Sequence, residues 1–345
     1  MLSHEDYMQR AIDLAQLGAG NVAPNPMVGA VIVHEGKIIG EGYHQKYGEP
    51  HAEVNAVNSV KDKSLLPHST IYVTLEPCAH YGKTPPCALL IVKHNFKEVI
   101  IGCRDSYEEV DGKGVQLIEE AGIKVKIGVL KKDCLELNKR FFTFHQKNRP
   151  YVILKWAQDQ NGYIDRDRTK DKLGNHWITQ PETKSLTHKW RAEEAAILVG
   201  NRTVANDNPS LTAREFSGPN PARVIIDQKM KLDYGAFNVG DRSVPTYILT
   251  EKVIQGSGNL KFINPKTFKI ADILTKIHEL NLNSIIIEGG ATTINKFIEE
   301  DLWDEARILV GVHEYGKGQK APIINKEISD EFNFGLDTIK IIYNA

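Results

Sequence analysis

Residues 74–87 read TLEPCAHYGKTPPC, and the two cysteines of this stretch, Cys78 and Cys87, follow a histidine and a glutamate at His51 and Glu53. One imidazole and two thiolates are a ligand set typical of zinc, and three protein ligands leave the fourth tetrahedral position open, as in catalytic sites. Glu53 lies two residues after the histidine, where its carboxylate can exchange a proton with a water on the metal. The pattern predicts a hydrolytic zinc site.

Around these ligands, apolar runs and amphipathic spacing alternate along the chain. Alternating strands and helices indicate an α/β domain with helices covering a sheet. The predicted strands cover 28–33, 37–43, 70–75, 98–102 and 123–129, and the predicted helices begin near Ser3 and cover 51–60, 86–93, 114–121 and 133–145.

Pro150 ends this alternation, because proline cannot continue a helix and pushes the residue before it toward an extended conformation. We therefore predict two domains, 1–148 and 149–345. Polar residues at 166–175 predict an exposed loop in the second domain. Its predicted strands cover 151–157, 195–199, 222–227, 245–249, 284–287, 305–312 and 339–343, and its predicted helices cover about 181–193, 270–280 and 291–300.

Composition narrows the class of protein. The 345 residues include 43 Lys and Arg against 44 Asp and Glu, a net charge of -1, which argues against a nucleic-acid binder. No apolar run is long enough for a membrane span, and the N-terminal residues lack the apolar core of a signal peptide. All four cysteines lie before residue 150 and all four tryptophans after it. So few cysteines do not make a disulfide scaffold, and we expect a reducing cytoplasm.

The second half contains two candidate phosphate or hydroxyl sites but no G-x-G-x-x-G fingerprint. The strand at 284–287 runs into Glu288, Gly289 and Gly290 and then a predicted helix. Glycines there allow close backbone approach, and a helix N-terminus attracts phosphate, although packing alone also explains such a turn. Residues 198–214 combine Gly, Thr, Asp and Arg, which suits phosphate recognition but also an ordinary loop.

Three segments carry a resemblance to a known family: PNPMVGAVIV (24–33), PHAEVNA (50–56) and TLEPCAHYGKTPPC. They resemble the bifunctional deaminase-reductases of riboflavin biosynthesis, and the resemblance continues through the second half. It implies an α/β protein with a cytidine-deaminase-like three-layer α/β/α domain and a dihydrofolate-reductase-like α/β domain. The first domain would hydrolyse the exocyclic amine of a diaminopyrimidinone ribose phosphate with Zn²⁺. The second would use NADPH to reduce the ribosyl side chain to ribityl.

The resemblance also implies roles for individual residues. In the first domain, Glu53 would be the proton shuttle and a single Zn²⁺ would be bound by His51, Cys78 and Cys87. The pyrimidine and ribose phosphate would contact Asn25, His44, His80, Lys83 and Asp105. Lys83 stands where many members have arginine, so the cation lacks bidentate geometry.

In the second domain, Lys155 would act electrostatically or as an acid when the sugar ring opens. The resemblance places Lys155, Thr179, Asp207 and Glu288 around the sugar and nicotinamide, Arg191 and Arg214 at the substrate phosphate, Leu211 beside the substrate, and Trp177, Gly200, Thr203, Gly289 and Gly290 along the NADPH. At position 161 many members have aspartate and this chain has Asn161, which puts a role for that position in doubt.

Structural alternatives stand beside these interpretations. Lys155 could belong to a surface ion pair, Asn25 could be only a turn residue, and Cys103 and Cys134 fit simple packing. A purely structural zinc is the alternative for the whole ligand set.

Two further function classes remain: a deaminase acting on a polynucleotide such as a tRNA base, and a non-catalytic zinc module whose second domain senses a nucleotide. The charge balance opposes the first, and the acidic Glu53 beside an open metal position opposes the second. We expect small phosphorylated pyrimidine substrates, no nucleic-acid or membrane partner, and a homo-oligomer.

Overall fold

The computed structural model describes residues 2–81, 85–105, 112–166 and 177–344, and within them the chain forms two compact units, Met1–Asn148 and Arg149–Ala345. The first unit begins with a helix whose N-cap, Ser3, forms a reciprocal capping box with Asp6. Its elements are α1 (His4–Gln16), β1 (Gly29–His34), β2 (Lys37–Tyr43), α2 (Ala52–Ser59), β3 (Thr70–Leu75), α3 (Cys87–His94), β4 (Glu98–Cys103), α4 (Lys113–Glu120), β5 (Lys124–Ile127), α5 (Lys131–Leu137) and α6 (Lys139–Lys147).

The sheet of this unit has the order β2-β1-β3-β4-β5, antiparallel among β2, β1 and β3 and parallel from β3 to β5. Successive side chains of a strand point to opposite faces, so each face has its own core. Ile32 and Val73 pack with α2, α3 and α4, whereas Val31 and Tyr72 pack with α1, α5 and α6. This arrangement confirms the predicted three-layer α/β/α fold.

The prediction of one helix over 133–145 is wrong, because α5 and α6 are separate helices that meet at Asn138. Its backbone leaves the helical conformation, with φ −110° and ψ 23°. Its side chain is buried and bonds to a distant part of the chain, which the apolar periodicity of the two helices could not reveal.

The second unit is built on a larger, mainly parallel sheet with the order β11-β10-β9-β8-β12-β6-β13-β16-β15. Only the pairings of β16 with β13 and β15 are antiparallel in this sheet, as far as the described residues go. Its elements are β6 (Tyr151–Asp159), β7 (Tyr163–Arg166), α7 (Pro181–Glu193), β8 (Ala196–Gly200), α8 (Asn201–Asp207), β9 (Ala222–Ile226), β10 (Thr246–Leu249), β11 (Leu260–Ile263), α9 (Ile270–Glu279), β12 (Ser284–Ile287), α10 (Ala291–Glu299), β13 (Glu305–Gly311), β14 (Gly318–Lys320), β15 (Asp330–Phe334) and β16 (Asp337–Tyr343).

The two faces of this sheet again have separate cores. Leu154 and Ile287 pack with α9 and α10, and Ile153 and Ile286 pack with α7 and α8. The elements that the sequence did not predict are short or exposed: α8 buries only Val204, and the described strands β7, β11, β14 and β15 are partly or largely exposed. Such segments lack a clear apolar period. The predicted loop at 166–175 lies outside the described residues except for Arg166, which ends β7.

The described residues include no helix that is both long enough and apolar enough to cross a membrane.

Candidate active sites

In the first unit the structure brings together the three predicted zinc ligands. The ligand atoms of His51, Cys78 and Cys87 all lie within 4.8 Å of one another. His51 Nδ1 is 3.6 Å from Cys78 Sγ and 3.5 Å from Cys87 Sγ. Among the described residues, no fourth histidine, cysteine or carboxylate joins this group. A set of three ligands fits a zinc site with an open position better than a closed structural site.

Element ends position these ligands. His51 is the N-cap of α2, Cys87 is the first residue of α3, and Cys78 follows β3. The backbone N–H of Cys87 donates to Cys78 Sγ at 3.3 Å, and that of Ala88 donates to the Cys78 carbonyl at 3.1 Å. The start of α3 therefore holds the two thiols side by side and provides N–H groups that favour a thiolate.

The electrostatics of the pair also suit a cation. The hydrogen bond from the Cys87 thiol is the largest cause that lowers the pKa of Cys78, to about 4. The same hydrogen bond, together with burial, raises the pKa of Cys87. A divalent cation would replace the proton of this hydrogen bond and stabilise both sulfurs as thiolates.

Glu53 lies in the first turn of α2 and is buried, with 3% of its surface exposed. Burial raises the pKa of Glu53 to about 7, and the nearby Cys78 adds to the rise. A hydrogen bond with the Cys87 thiol acts in the opposite direction, so the carboxyl lies beside the ligand cluster. A buried carboxyl with a pKa near neutrality can both accept and return a proton.

Asn25 and His44 adjoin the cluster. Asn25 Nδ2 is 3.2 Å from His44 Nε2, and His44 Nδ1 is 3.2 Å from the Pro50 carbonyl oxygen. The rings of His44 and His51 meet edge to face with centroids 5.3 Å apart. Burial lowers the pKa of His44, which favours a neutral ring. Asn25 therefore has a partner beyond its own turn.

Three more residues, His80, Lys83 and Asp105, were predicted to contact the substrate in this unit. His80 lies two residues beyond Cys78, and the buried Asp105 lies two residues beyond β4. Because β3 and β4 are parallel neighbours, with Leu75 opposite Cys103, both residues follow the same edge of the sheet. Lys83 lies outside the described residues.

In the second unit, most of the predicted reductase residues line a cavity of about 610 Å³. It lies over the carboxyl ends of the central parallel strands, where ligands commonly bind in α/β sheets. The predicted residues that line it are Lys155, Trp177, Thr179, Arg191, Thr203, Asp207, Leu211, Arg214, Glu288 and Gly290. Gly200 and Gly289 do not line it.

A buried ion cluster lies at the base of this cavity. The Glu288 carboxylate accepts from Arg191 Nε at 2.8 Å and Nη2 at 2.6 Å, and Lys155 Nζ is 3.7 Å from Glu288 Oε2. Burial alone would raise the pKa of Glu288, but the charges of Arg191 and Lys155 outweigh it and lower the pKa to about 2. Burial lowers the pKa of Lys155. Lys155 is thus in an ion pair, but a buried one that faces the cavity.

The two glycines that follow β12, Gly289 and Gly290, are required for different reasons. A Cβ at Gly289 would lie 2.6 Å from the Val199 Cα, so close packing against β8 explains this glycine. Gly290 lines the cavity, and its N–H donates to Thr203 Oγ1 at 3.2 Å. It precedes α10, and no side chain caps the first turn of this helix. The N–H groups of Ala291 and Thr292 therefore suit an anionic ligand.

Comparison with known proteins identifies the family to which this chain belongs. Residues 1–103 match the model of the cytidine and deoxycytidylate deaminase zinc-binding region, and residues 150–340 match the RibD C-terminal domain. The riboflavin biosynthesis protein RibD of Aquifex aeolicus is 38% identical over 320 residues, or 91% of this chain and 88% of the relative. The chain belongs to the RibD family. RibD of Bacillus amyloliquefaciens is 40% identical over 323 residues, or 89% of this chain and 85% of the relative.

Solved structures of RibD proteins share the fold of this chain over almost its whole length. The diaminohydroxyphosphoribosylaminopyrimidine deaminase/5-amino-6-(5-phosphoribosylamino)uracil reductase of Thermotoga maritima has a TM-score of 0.90 at 34% identity, over 99% of this chain and 98% of its own. Acinetobacter baumannii RibD has a TM-score of 0.88 at 31% identity, over 99% and 98%. The protein is thus a bifunctional deaminase and reductase of riboflavin biosynthesis, with a zinc-binding deaminase domain and a RibD reductase domain. This confirms the predicted family and excludes a non-catalytic zinc module.

Asn161, where the resemblance implies an aspartate, lies in a turn that the side chain of Asp159 holds together. The fully buried Asp159 accepts the backbone N–H groups of Asn161 at 3.0 Å and Tyr163 at 2.8 Å, and its other oxygen accepts that of Tyr315 at 2.7 Å. A carboxylate therefore organises this turn from position 159, without requiring an acid at position 161.

Asn138, which the sequence analysis missed, organises the loop that carries Asn25. Its Nδ2 donates to the Met27 carbonyl and its Oδ1 accepts the Met27 N–H, both at 2.8 Å. This paired contact holds the backbone two residues beyond Asn25. The break between α5 and α6 thus supports the loop that carries Asn25, and an asparagine between two amphipathic stretches was the available signal.

Replacing Asn138 by Ala should weaken the deaminase and leave the reductase unchanged. Loss of two buried hydrogen bonds is expected to lower the free energy of unfolding by about 1–3 kcal/mol and to raise the KM for the deaminase substrate. Asn138→Asp keeps the acceptor for the Met27 N–H but places a carboxylate oxygen against the Met27 carbonyl oxygen, so it should be at least as damaging as Asn138→Ala. Steady-state ammonia release and NADPH oxidation on the same samples measure both effects. An unchanged deaminase KM in a measurably destabilised Asn138→Ala would contradict this role.

Proposed function

We propose that the first unit deaminates 2,5-diamino-6-(5-phosphoribosylamino)pyrimidin-4(3H)-one. We propose further that the second unit reduces the ribosyl side chain of the product, 5-amino-6-(5-phosphoribosylamino)uracil, with NADPH. The observation that carries this proposal is the meeting of His51, Cys78 and Cys87 beside the buried Glu53. The name of the Thermotoga maritima relative, which states both activities, supports the same substrates.

In the deaminase, His51, Cys78 and Cys87 would hold the zinc. When bound, zinc acts as a Lewis acid and makes water a nucleophile at neutral pH. Glu53 would move the two protons of the water in turn, one to the ring nitrogen beside the reacting carbon and one to the exocyclic nitrogen. The carbon–nitrogen bond then breaks, ammonia leaves, and the oxygen of water becomes the new carbonyl oxygen. Asn25 and His44 would orient the pyrimidine.

In the reductase, NADPH supplies the hydride when it is bound. Lys155 would protonate the ring oxygen of the sugar as the ring opens. Its position beside Glu288 and Arg191 supports this role, because the ion cluster fixes the amine at the wall of the cavity. The hydride would form a carbon–hydrogen bond at the anomeric carbon, whose bond to the ring oxygen breaks. The hydride brings two electrons and one proton, Lys155 brings the second proton, and Lys155 then regains its proton from solvent.

The cofactor phosphates would bind at the start of α10. The uncapped first turn after Gly290 and its contact with Thr203 on α8 support this placement. Trp177, half exposed at the cavity with Lys184 Nζ 3.9 Å from its ring centroid, provides an aromatic surface for the same ligand. Preference for NADPH over NADH follows the family.

Incubation of the protein with the diaminopyrimidinone ribose phosphate, with and without NADPH, tests the proposal. We expect ammonia release under both conditions and NADPH oxidation only after deamination. Absence of ammonia release from the zinc-loaded protein would refute the deaminase assignment. Absence of NADPH oxidation with the deaminated compound would refute the reductase assignment.

The zinc assignment gives a separate prediction. Elemental analysis should find one zinc per chain, and Cys78→Ser should lower that content. Chelation should abolish ammonia release and leave reduction of the deaminated compound unchanged, because the reductase cavity contains none of the three ligands. Restoration of ammonia release by added Zn²⁺ is the control. Full deamination by the metal-free protein would contradict the assignment.

The proposed substrates are small phosphorylated pyrimidines rather than polynucleotides. We also propose a cytoplasmic location, since all four cysteines are free and thiolate ligands persist in a reducing compartment. A homo-oligomeric state stays a prediction.

A further inference from the structure

His188, which neither the motifs nor the proposed mechanism uses, lies in the reductase cavity. It is on α7, three residues before Arg191, so the two side chains share one face of the helix. Its surface is 2% exposed, and its ring lines the cavity. A buried polar ring at the wall of a ligand cavity requires partners for both nitrogens.

One nitrogen has its partner in the protein, and this determines the tautomer. The backbone N–H of Glu215 donates to His188 Nδ1 at 3.0 Å. In a neutral imidazole one nitrogen accepts and the other carries the hydrogen, so Nε2 is the donor. Burial, and then the charges of Arg191 and Arg214, lower the pKa of His188 to about 4, so the ring is neutral at physiological pH.

The other nitrogen is left for a ligand. Among the described residues, no acceptor lies within hydrogen-bonding distance of His188 Nε2. The described residues include a few fully buried polar atoms that lack a partner, and His188 Nε2 is not one of them. Since Nε2 also lacks a partner, it must be accessible, and the cavity that His188 lines is the space it reaches. His188 therefore offers a ligand in this cavity one neutral N–H donor, and its tautomer is fixed by the contact with Glu215.

The charges around His188 indicate the ligand. Arg191 Nε and Nη2 donate to the Glu288 carboxylate, and Nη1 donates to the Thr212 carbonyl at 3.1 Å. The hydrogen-bond donors of Arg191 are therefore largely occupied within the protein. Arg214 also lines the cavity, and within the described residues its guanidinium has no ion pair. A cation without a carboxylate partner, beside a neutral N–H donor, suits an anionic oxygen. This corner, formed by α7 and residues 211–215, differs from the start of α10, where Gly290 contacts α8.

We propose that His188 is a substrate-binding residue of the reductase, and that its Nε2–H donates to a phosphate oxygen of the phosphoribosyl substrate next to Arg214. This role rests on the proposed reductase function. The backbone of Glu215 determines which nitrogen donates, and the segment that carries Arg214 thereby also orients the histidine. The site thus distinguishes a phosphorylated sugar from its unphosphorylated form through a neutral donor as well as a cation.

Two substitutions separate this role from a structural one. In His188→Asn the side-chain oxygen can still accept the Glu215 N–H, but nothing reaches the position of Nε2. In His188→Gln the amide nitrogen reaches that position and the bond to Glu215 is lost. We expect His188→Asn to raise the KM for 5-amino-6-(5-phosphoribosylamino)uracil roughly 10- to 100-fold, and His188→Gln to stay within a few-fold of the wild type. The KM for NADPH and the rate of ammonia release should not change.

The unphosphorylated riboside identifies the acceptor. Wild type and His188→Asn should differ less than threefold with the riboside, because the phosphate contact is missing for both. A wild-type KM in His188→Asn, or equal losses in both variants with lowered melting temperatures, would show a structural role and overturn the proposal. An undiminished difference with the riboside would overturn the phosphate assignment. If the wild-type protein does not oxidise NADPH with either compound, the proposed reductase function itself fails, and the comparison separates the two failures.

Discussion

Glu53→Gln is expected to abolish ammonia release and to leave reduction of the deaminated substrate at the wild-type rate. The amide keeps the shape of the side chain in its buried position but cannot carry a proton between water and the leaving nitrogen. Positioned acid–base groups contribute about 10²–10⁴-fold to rates, so a loss of this size in kcat is expected. Coupled detection of ammonia and the absorbance of NADPH measure the two activities on one sample.

Controls for this variant come from the same chain. Glu49→Gln removes an equal charge from an exposed position near the site and should retain deamination. The zinc content of Glu53→Gln should equal that of the wild type, because Glu53 is not in the ligand group. Loss of both activities in a folded, zinc-containing Glu53→Gln would refute two separate sites. Retention of deamination would remove Glu53 from the mechanism.

Glu288→Gln should abolish reduction and also destabilise the second unit. The substitution leaves the buried Arg191 and Lys155 without the carboxylate that both contact. Breaking a buried ion pair from one side costs about 3–5 kcal/mol, since an uncompensated charge remains. All four tryptophans lie in this unit, so their fluorescence in a urea titration reports its unfolding without a signal from the deaminase.

Lys155→Met is the matched control for Glu288→Gln. It removes one cation but keeps the two-point contact between Arg191 and Glu288, so reduction should be lost with a change in stability below about 2 kcal/mol. Ammonia release should persist in both variants. Equal urea midpoints for wild type and Glu288→Gln would show that the ion cluster contributes nothing to stability.

The deaminase ligands could be predicted because His51, Cys78 and Cys87 lie in two segments, 50–56 and 74–87, whose residues resemble those of a known family. Cys78 and Cys87 are nine residues apart, and only two types of side chain had to be recognised. The surrounding strands were predictable for a similar reason: β3 and β12 are buried on both faces and read as apolar runs with the bounds that the structure has.

The remaining contacts depend on partners that are distant in sequence. Arg191 was predicted to bind phosphate, and the structure gives most of its donors to Glu288, 97 residues away. Asn138 and Met27 are 111 residues apart. No local pattern encodes such pairings, because the fold determines which polar groups meet. The tautomer of His188 depends in the same way on the backbone of Glu215.

The register of the second sheet has a consequence for how this enzyme can change. Leu154 lies opposite Ile287 where β6 and β12 pair, so Lys155, the next residue of β6, lies beside Glu288, the first residue after β12. Their separation is determined by the ladder, and a strand can shift only in whole residues of about 3.3 Å, each of which turns the side chain to the other face. Insertions in the surface loops of this unit would leave the pair intact. A single-residue insertion or deletion within either strand would remove one charge from the cavity and bury it against α9 and α10.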